Sequence, residues 1–144
     1  MSRIFTAELS ELKKMISYIV KELESLGFDN ETVNASHVIC DEIITNVIKY
    51  AYAKKTTDEY FIKGCLYKRP LQISCNNKKF DSNKVSIRFT DWGLSFNPLK
   101  YEGDPRDQIR QGGYGIQIAI NLAECIKYKR DNDKNILTVY MSFR

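Results

Sequence analysis

The sequence predicts an α/β chain in which two long helices come first and most of the strands follow. Three observations carry that reading. Apolar residues recur at helical spacing over residues 8–26 and again over 33–53. From Lys54 the texture changes to short alternating or β-branched runs broken by turn residues. A glycine cluster at 112–115 then opens a third apolar helical stretch, followed by a last pair of strand-like runs. The sum is three helices and about five strands, which suits helices layered on a sheet.

Ser2–Thr6 is expected to be a short edge strand. The first helix spans 8–26, with Leu12, Met15, Ile16, Ile19 and Leu23 on its apolar face and Gly27 as its stop. Asp29 or Asn30 then caps the helix over 33–53, with Glu31 in its first turn. At about 100° per residue, Val33, Cys40, Ile43, Ile44, Val47, Ile48 and Ala51 of that second helix share one core face. The only histidine, His37, is expected to pack on the core side.

Nearly opposite lie Glu42 and Asn46, one turn apart and therefore stacked. An ordinary solvent-facing pair is the plain alternative. Ala35, Val38 and Ile39 flank Glu42, however, which suggests a cleft wall rather than a wet surface. Asn is also a poor helix-interior residue, because its amide competes for backbone hydrogen bonds.

Residues 60–67 are read as a strand or an irregular excursion, and 71–75 and 85–90 as strands joined by a polar loop over 76–83. The second strand runs into Asp91-Trp92-Gly93, where it must stop. Residues 99–111 are polar, without period, and long for a plain connection, so they are expected to form a lid. Gly112, Gly113, Tyr114 and Gly115 lead into the third helix, where backbone N–H groups and the helix dipole favour a phosphate. A plain turn is the alternative. The chain closes on a hairpin of 125–129 and 135–143.

At 144 residues the chain is expected to form one domain, 1–144. A net charge of +4, with 22 basic residues dispersed among 18 acidic ones, does not favour direct nucleic-acid binding. No signal peptide or apolar run of membrane-spanning length is visible, so a cytoplasmic protein without a membrane role is expected. Cys40, Cys65, Cys75 and Cys125 lack metal-site spacing and are expected to be reduced core thiols.

The order Glu42-x-x-x-Asn46 on a helix, Asp91-x-Gly93 after a strand and Gly113-x-Gly115 opening a later helix resembles the N, G1 and G2 boxes of the GHKL (histidine kinase-like) ATPase superfamily. Within it the chain most resembles the bacterial anti-sigma factor serine/threonine kinases, domains of about this size. The likeness extends from Asp41 to Tyr52, through Phe96 and Pro98, and from Tyr128 to Thr138. It implies a Bergerat-type two-layer sandwich, helices on one face of a mixed, mainly antiparallel sheet, with ATP between the second helix, the lid and the glycine-rich helix start.

The resemblance further implies a general-base role for Glu42 and Mg²⁺ on the side-chain oxygen of Asn46. Lys49 would approach phosphates and Tyr50 the nucleoside, as in histidine kinases. Asp91 would accept from the adenine amine, Gly93 would admit the base, and Thr138 would assist adenine recognition. Lid arginines Arg106 and Arg110 are candidates for phosphate contact. The implied partners are a sigma factor and a STAS-type anti-anti-sigma protein, and the implied assembly is a homodimer. A nucleotide-binding interaction module without kinase activity is the alternative. No helix ahead of the Glu42 helix carries a phosphoacceptor histidine, so a complete sensor kinase is not expected.

Overall fold

The computed structural model describes residues 2–52, 59–78, 81–100 and 122–142. Strand β1 (Ser2–Thr6) passes through a 3-10 turn at Leu9–Glu11 into helix α1 (Leu12–Ser25). Gly27, at φ +87°, ends α1 in a Schellman motif. Phe28 N–H donates to Leu23 O at 3.1 Å and Gly27 N–H to Glu24 O at 3.0 Å, while Phe28 and Leu23 are both buried. Asp29 then caps α2 (Asn30–Asn46), its carboxylate accepting from Thr32 N–H at 2.9 Å. Those hydrogen bonds hold the Asp29 carboxyl below the usual aspartate range.

After α2 the helix widens into a π turn over Val47–Ala51, closed by Tyr52 N–H on Val47 O at 3.3 Å. Such wide turns concentrate at functional sites. A separate hairpin follows, β2 (Glu59–Ile62) and β3 (Cys65–Lys68), turned through Lys63 and Gly64, both at positive φ. The main sheet adds β4 (Pro70–Lys78), β5 (Asp81–Asp91), β6 (Cys125–Asp131) and β7 (Lys134–Ser142) in the order β1-β4-β5-β7-β6. Every pairing between the described strands is antiparallel, so the parallel component expected of a mixed sheet is not found among them.

Helices α1 and α2 pack on one face of this sheet, which makes the α/β sandwich. Met15, Ile19 and Leu23 of α1, Ile39, Ile43 and Ile44 of α2, and Leu71, Ile73, Ile87, Phe89 and Val139 of the strands are each essentially excluded from solvent. Phe5 of β1 meets Tyr18 of α1 edge to face, with ring centroids 5.6 Å apart. The third helix and the greater part of the lid fall outside the described residues.

Four sequence expectations are corrected here. The polar stretch 76–83 is not a loop: β4 runs to Lys78 and β5 starts at Asp81, because ladder hydrogen bonds are made by backbone and tolerate polar side chains. Ile39 does not line a cleft but is fully buried, and Ser36 is buried with it, so the core stripe of α2 is broader than its apolar pattern implies. His37 is exposed, one position off that stripe beside exposed Asn34 and Asp41. Cys65 and Cys125 are exposed, since strand alternation turns them outward, while Cys40 and Cys75 are buried thiols as expected.

Candidate functional site

The polar end of α2 and the end of β5 meet because the π turn carries the chain over the strand terminus. Leu94 N–H donates to Ala51 O at 2.8 Å. The Tyr52 hydroxyl, in a side chain 4 % exposed, accepts from Trp92 N–H at 2.9 Å and donates to Pro70 O at 2.5 Å. Burial raises the pKa of this phenol, so it stays protonated and keeps both bonds. Gly93 sits directly on the π turn: a Cβ there would lie 2.4 Å from Ala51 O and 2.7 Å from its carbonyl carbon. A glycine is therefore required for backbone-to-backbone packing alone.

Asp91 is 4 % exposed. One of its carboxylate oxygens accepts from Gly93 N–H and from the Asn135 side-chain amide, both at 2.9 Å. Asn135, opposite Asp91 in the β5–β7 register, is the hub of this floor. Its Nδ2 also donates to Leu94 O at 2.7 Å, and its Oδ1 accepts from Tyr128 hydroxyl at 2.5 Å and Phe96 N–H at 3.2 Å. Arg130 closes the far side by donating to Gly93 O at 2.9 Å.

Above the floor, Ile43, Val47, Phe89, Phe96, Pro98 and Leu137 wall a cleft whose polar lining groups are Asn46, Asp91, Tyr128 and Asn135. Phe96 stacks on Tyr50 at its mouth, with centroids 4.9 Å apart. An apolar lining that includes a buried carboxylate has the chemistry to meet a heteroaromatic ring bearing an amine. Glu42 stands one turn before Asn46, half-buried, and desolvation raises its carboxyl pKa, opposed by Lys49 and reinforced by Asp41. Among the described residues no group of three or more His, Cys, Asp or Glu side chains converges on a metal position. A single amide oxygen at Asn46 therefore fits a Mg²⁺ carried by phosphates, which keeps most of its ligands from water and nucleotide, rather than a protein-caged ion.

A family model for the histidine kinase-like ATPase domain matches residues 5–141. The chain belongs to that family. A comparison with curated proteins returned no match. Among solved structures, the Acinetobacter baumannii histidine kinase AdeS is similar with a TM-score of 0.49 and 14 % identity, over 100 % of this chain and 68 % of that one. In this histidine kinase-like ATPase domain, Asn46 and Asp91 line one cleft, Gly93 packs beside it on Ala51, and Glu42, Lys49 and Tyr50 lie on the adjoining helix and π turn. Gly112, Gly113, Tyr114, Gly115, Arg106 and Arg110 lie outside the described residues.

Thr138 is not brought to the cleft. It pairs with Arg88, one step out of phase with Asp91 and Asn135, and strand alternation turns it to the opposite face of the sheet. Asn135 fills the position beside Asp91 instead. Sequence reading did not single it out, although an Asn at the head of a β-branched strand is a depleted residue in that setting. Tyr52 entered the sequence reading only as the end of the Asp41–Tyr52 likeness and Arg130 was not singled out, because their partners are backbone groups distant in sequence.

Proposed function

We propose that this ATPase-family domain is an ATP- and Mg²⁺-dependent serine/threonine protein kinase that acts as an anti-sigma factor. It would phosphorylate a STAS-type anti-anti-sigma protein and sequester a sigma factor. The observation that supports this reading is the convergence of the buried Asp91 carboxylate, the apolar cleft lining and Asn46, with Glu42 one turn further along the same helix.

In that reaction the adenine amine would donate to Asp91, and the apolar lining of the cleft would meet the ring. The Asn46 oxygen would hold Mg²⁺, which supplies charge neutralisation of the phosphates. Glu42 takes the proton of the incoming serine hydroxyl as its oxygen bonds to the γ-phosphorus, the β–γ bridge breaks, and ADP leaves with the electron pair. Desolvation raises the Glu42 pKa, which makes its carboxylate a stronger base than a solvated glutamate.

The test is phosphotransfer from radiolabelled ATP to purified anti-anti-sigma protein. Labelling of one serine in the partner is expected. Stoichiometric ATP binding without label transfer would instead establish a nucleotide-binding interaction module.

A further inference from the structure

Alternation along the strands sends Leu71, Ile73, Ile87, Phe89, Leu137 and Val139 toward the helices, and the intervening residues toward the other face. Among the described residues no helix packs on that outer face. Register aligns Ser2, Ser74, Arg88, Thr138 and Lys127 in one row across all five strands. The next row is Ile4, Gln72, Thr90, Ile136 and Lys129.

The charge on this face is predominantly positive. Arg88, Lys127 and Lys129 are exposed, and none of them forms an ion pair among the described residues. Lys84 is already held by Glu124 at 3.0 Å, and Lys134 lies over the Trp92 ring. Carboxylates on this side include Asp131, at the hairpin end of β6, and Glu124, which is engaged by Lys84 and Ser142. Arg88 and Lys127 stand two strands apart, about 10 Å, and Lys127 and Lys129 about 7 Å apart along β6. At its longest strands the sheet offers a plane of roughly 19 Å by 30 Å, about 570 Å², somewhat less than one partner's share of a standard protein–protein interface.

We propose that the outer face of the sheet docks a carboxylate-rich protein surface. Three exposed cations without a carboxylate partner among the described residues, Lys127 lying over the Tyr140 ring, are set among neutral hydroxyls and amides and match a polar protein interface. They fall short of the roughly 6–10 phosphate contacts of a salt-sensitive nucleic-acid binder. A second copy of the chain is disfavoured, since two-fold apposition would set the cationic rows against each other. This inference rests on the charge of the sheet and does not depend on the kinase reading.

The experiment is a heteronuclear NMR titration of the labelled chain with poly-L-glutamate, as a mimic of such a surface, and in parallel with oligo-dT. The expected result is amide shifts at Arg88, Lys127, Lys129 and Thr138. In the triple variant Arg88→Glu, Lys127→Glu, Lys129→Glu, poly-glutamate affinity should fall roughly tenfold or more, as for charge reversal at a complementary interface, with ATP affinity unchanged. The neutralised pair Arg88→Gln, Lys127→Gln should show a smaller loss and serves if the triple variant folds poorly. Shifts confined to the basic face of α1 around Lys13, Lys14 and Lys21, undiminished binding by the variants, or tighter binding of oligo-dT than of poly-glutamate would each overturn the proposal.

Discussion

At one end of the cleft, Asp91 is 4 % exposed and tied by Gly93 and Asn135, with Tyr52 and Arg130 fixing the backbone around it. At the other end, Glu42 and Asn46 stand on a helix face that is only half-buried, and Lys49 beyond them is exposed. The Asp91 end is built in advance by hydrogen bonds within the protein. On the proposed reading it is the base-binding end, and the half-buried Glu42 and Asn46 face is the phosphate end. Affinity should therefore be concentrated at the first end and chemistry at the second, and substitutions can separate the two.

The largest effect is expected at Gly93, where the conflicting atoms are the Ala51 carbonyl and its Cβ, none of which can swing aside. Gly93→Ala should cost about 3 kcal/mol and lower the thermal midpoint by roughly 10 °C; a midpoint within error of wild type would mean that the π turn is not rigid. Next is Asp91→Asn, which keeps the shape but removes the charge facing the adenine amine. ATP affinity by calorimetry should drop roughly 10²-fold, and unchanged affinity would remove Asp91 from the base-binding end. Smaller again is Asn135→Ala, which strands the Phe96 amide and the Tyr128 hydroxyl. A stability loss of about 2 kcal/mol is expected in denaturant titration, with ATP affinity reduced by roughly tenfold. A variant that lost stability but kept full affinity would show that Asn135 braces the fold without orienting Asp91.

The sequence was more legible on α2 than on the sheet. Glu42 and Asn46 are one turn apart in any helix, so their stacking needs no knowledge of tertiary structure. Gly27 and Asp29 likewise act on their own neighbours. Asn135 could not be read in the same way, since its role depends on the register that sets β7 against β5, and a shift of one residue exchanges it for a neighbour on the other face. Thr138 shows the same point in reverse: a plausible hydroxyl in the right strand, turned away by parity. Gly93 was anticipated for its approach to a ligand, but its tight neighbour is Ala51, a contact created by the π turn that regular helical spacing does not foresee.

The division between the two ends is tested most directly by measuring ATP affinity and single-turnover phosphotransfer on one preparation of Glu42→Gln, together with the pH dependence of the wild-type rate. The variant should bind ATP within a few-fold of wild type while its transfer rate falls by roughly 10² or more, the usual share of a positioned base. In wild type the rate should decline as pH falls through a midpoint above that of an ordinary glutamate, because desolvation raises the Glu42 pKa and protonation removes the base. Near-wild-type transfer by Glu42→Gln would contradict the account, as would an equal loss of binding and transfer.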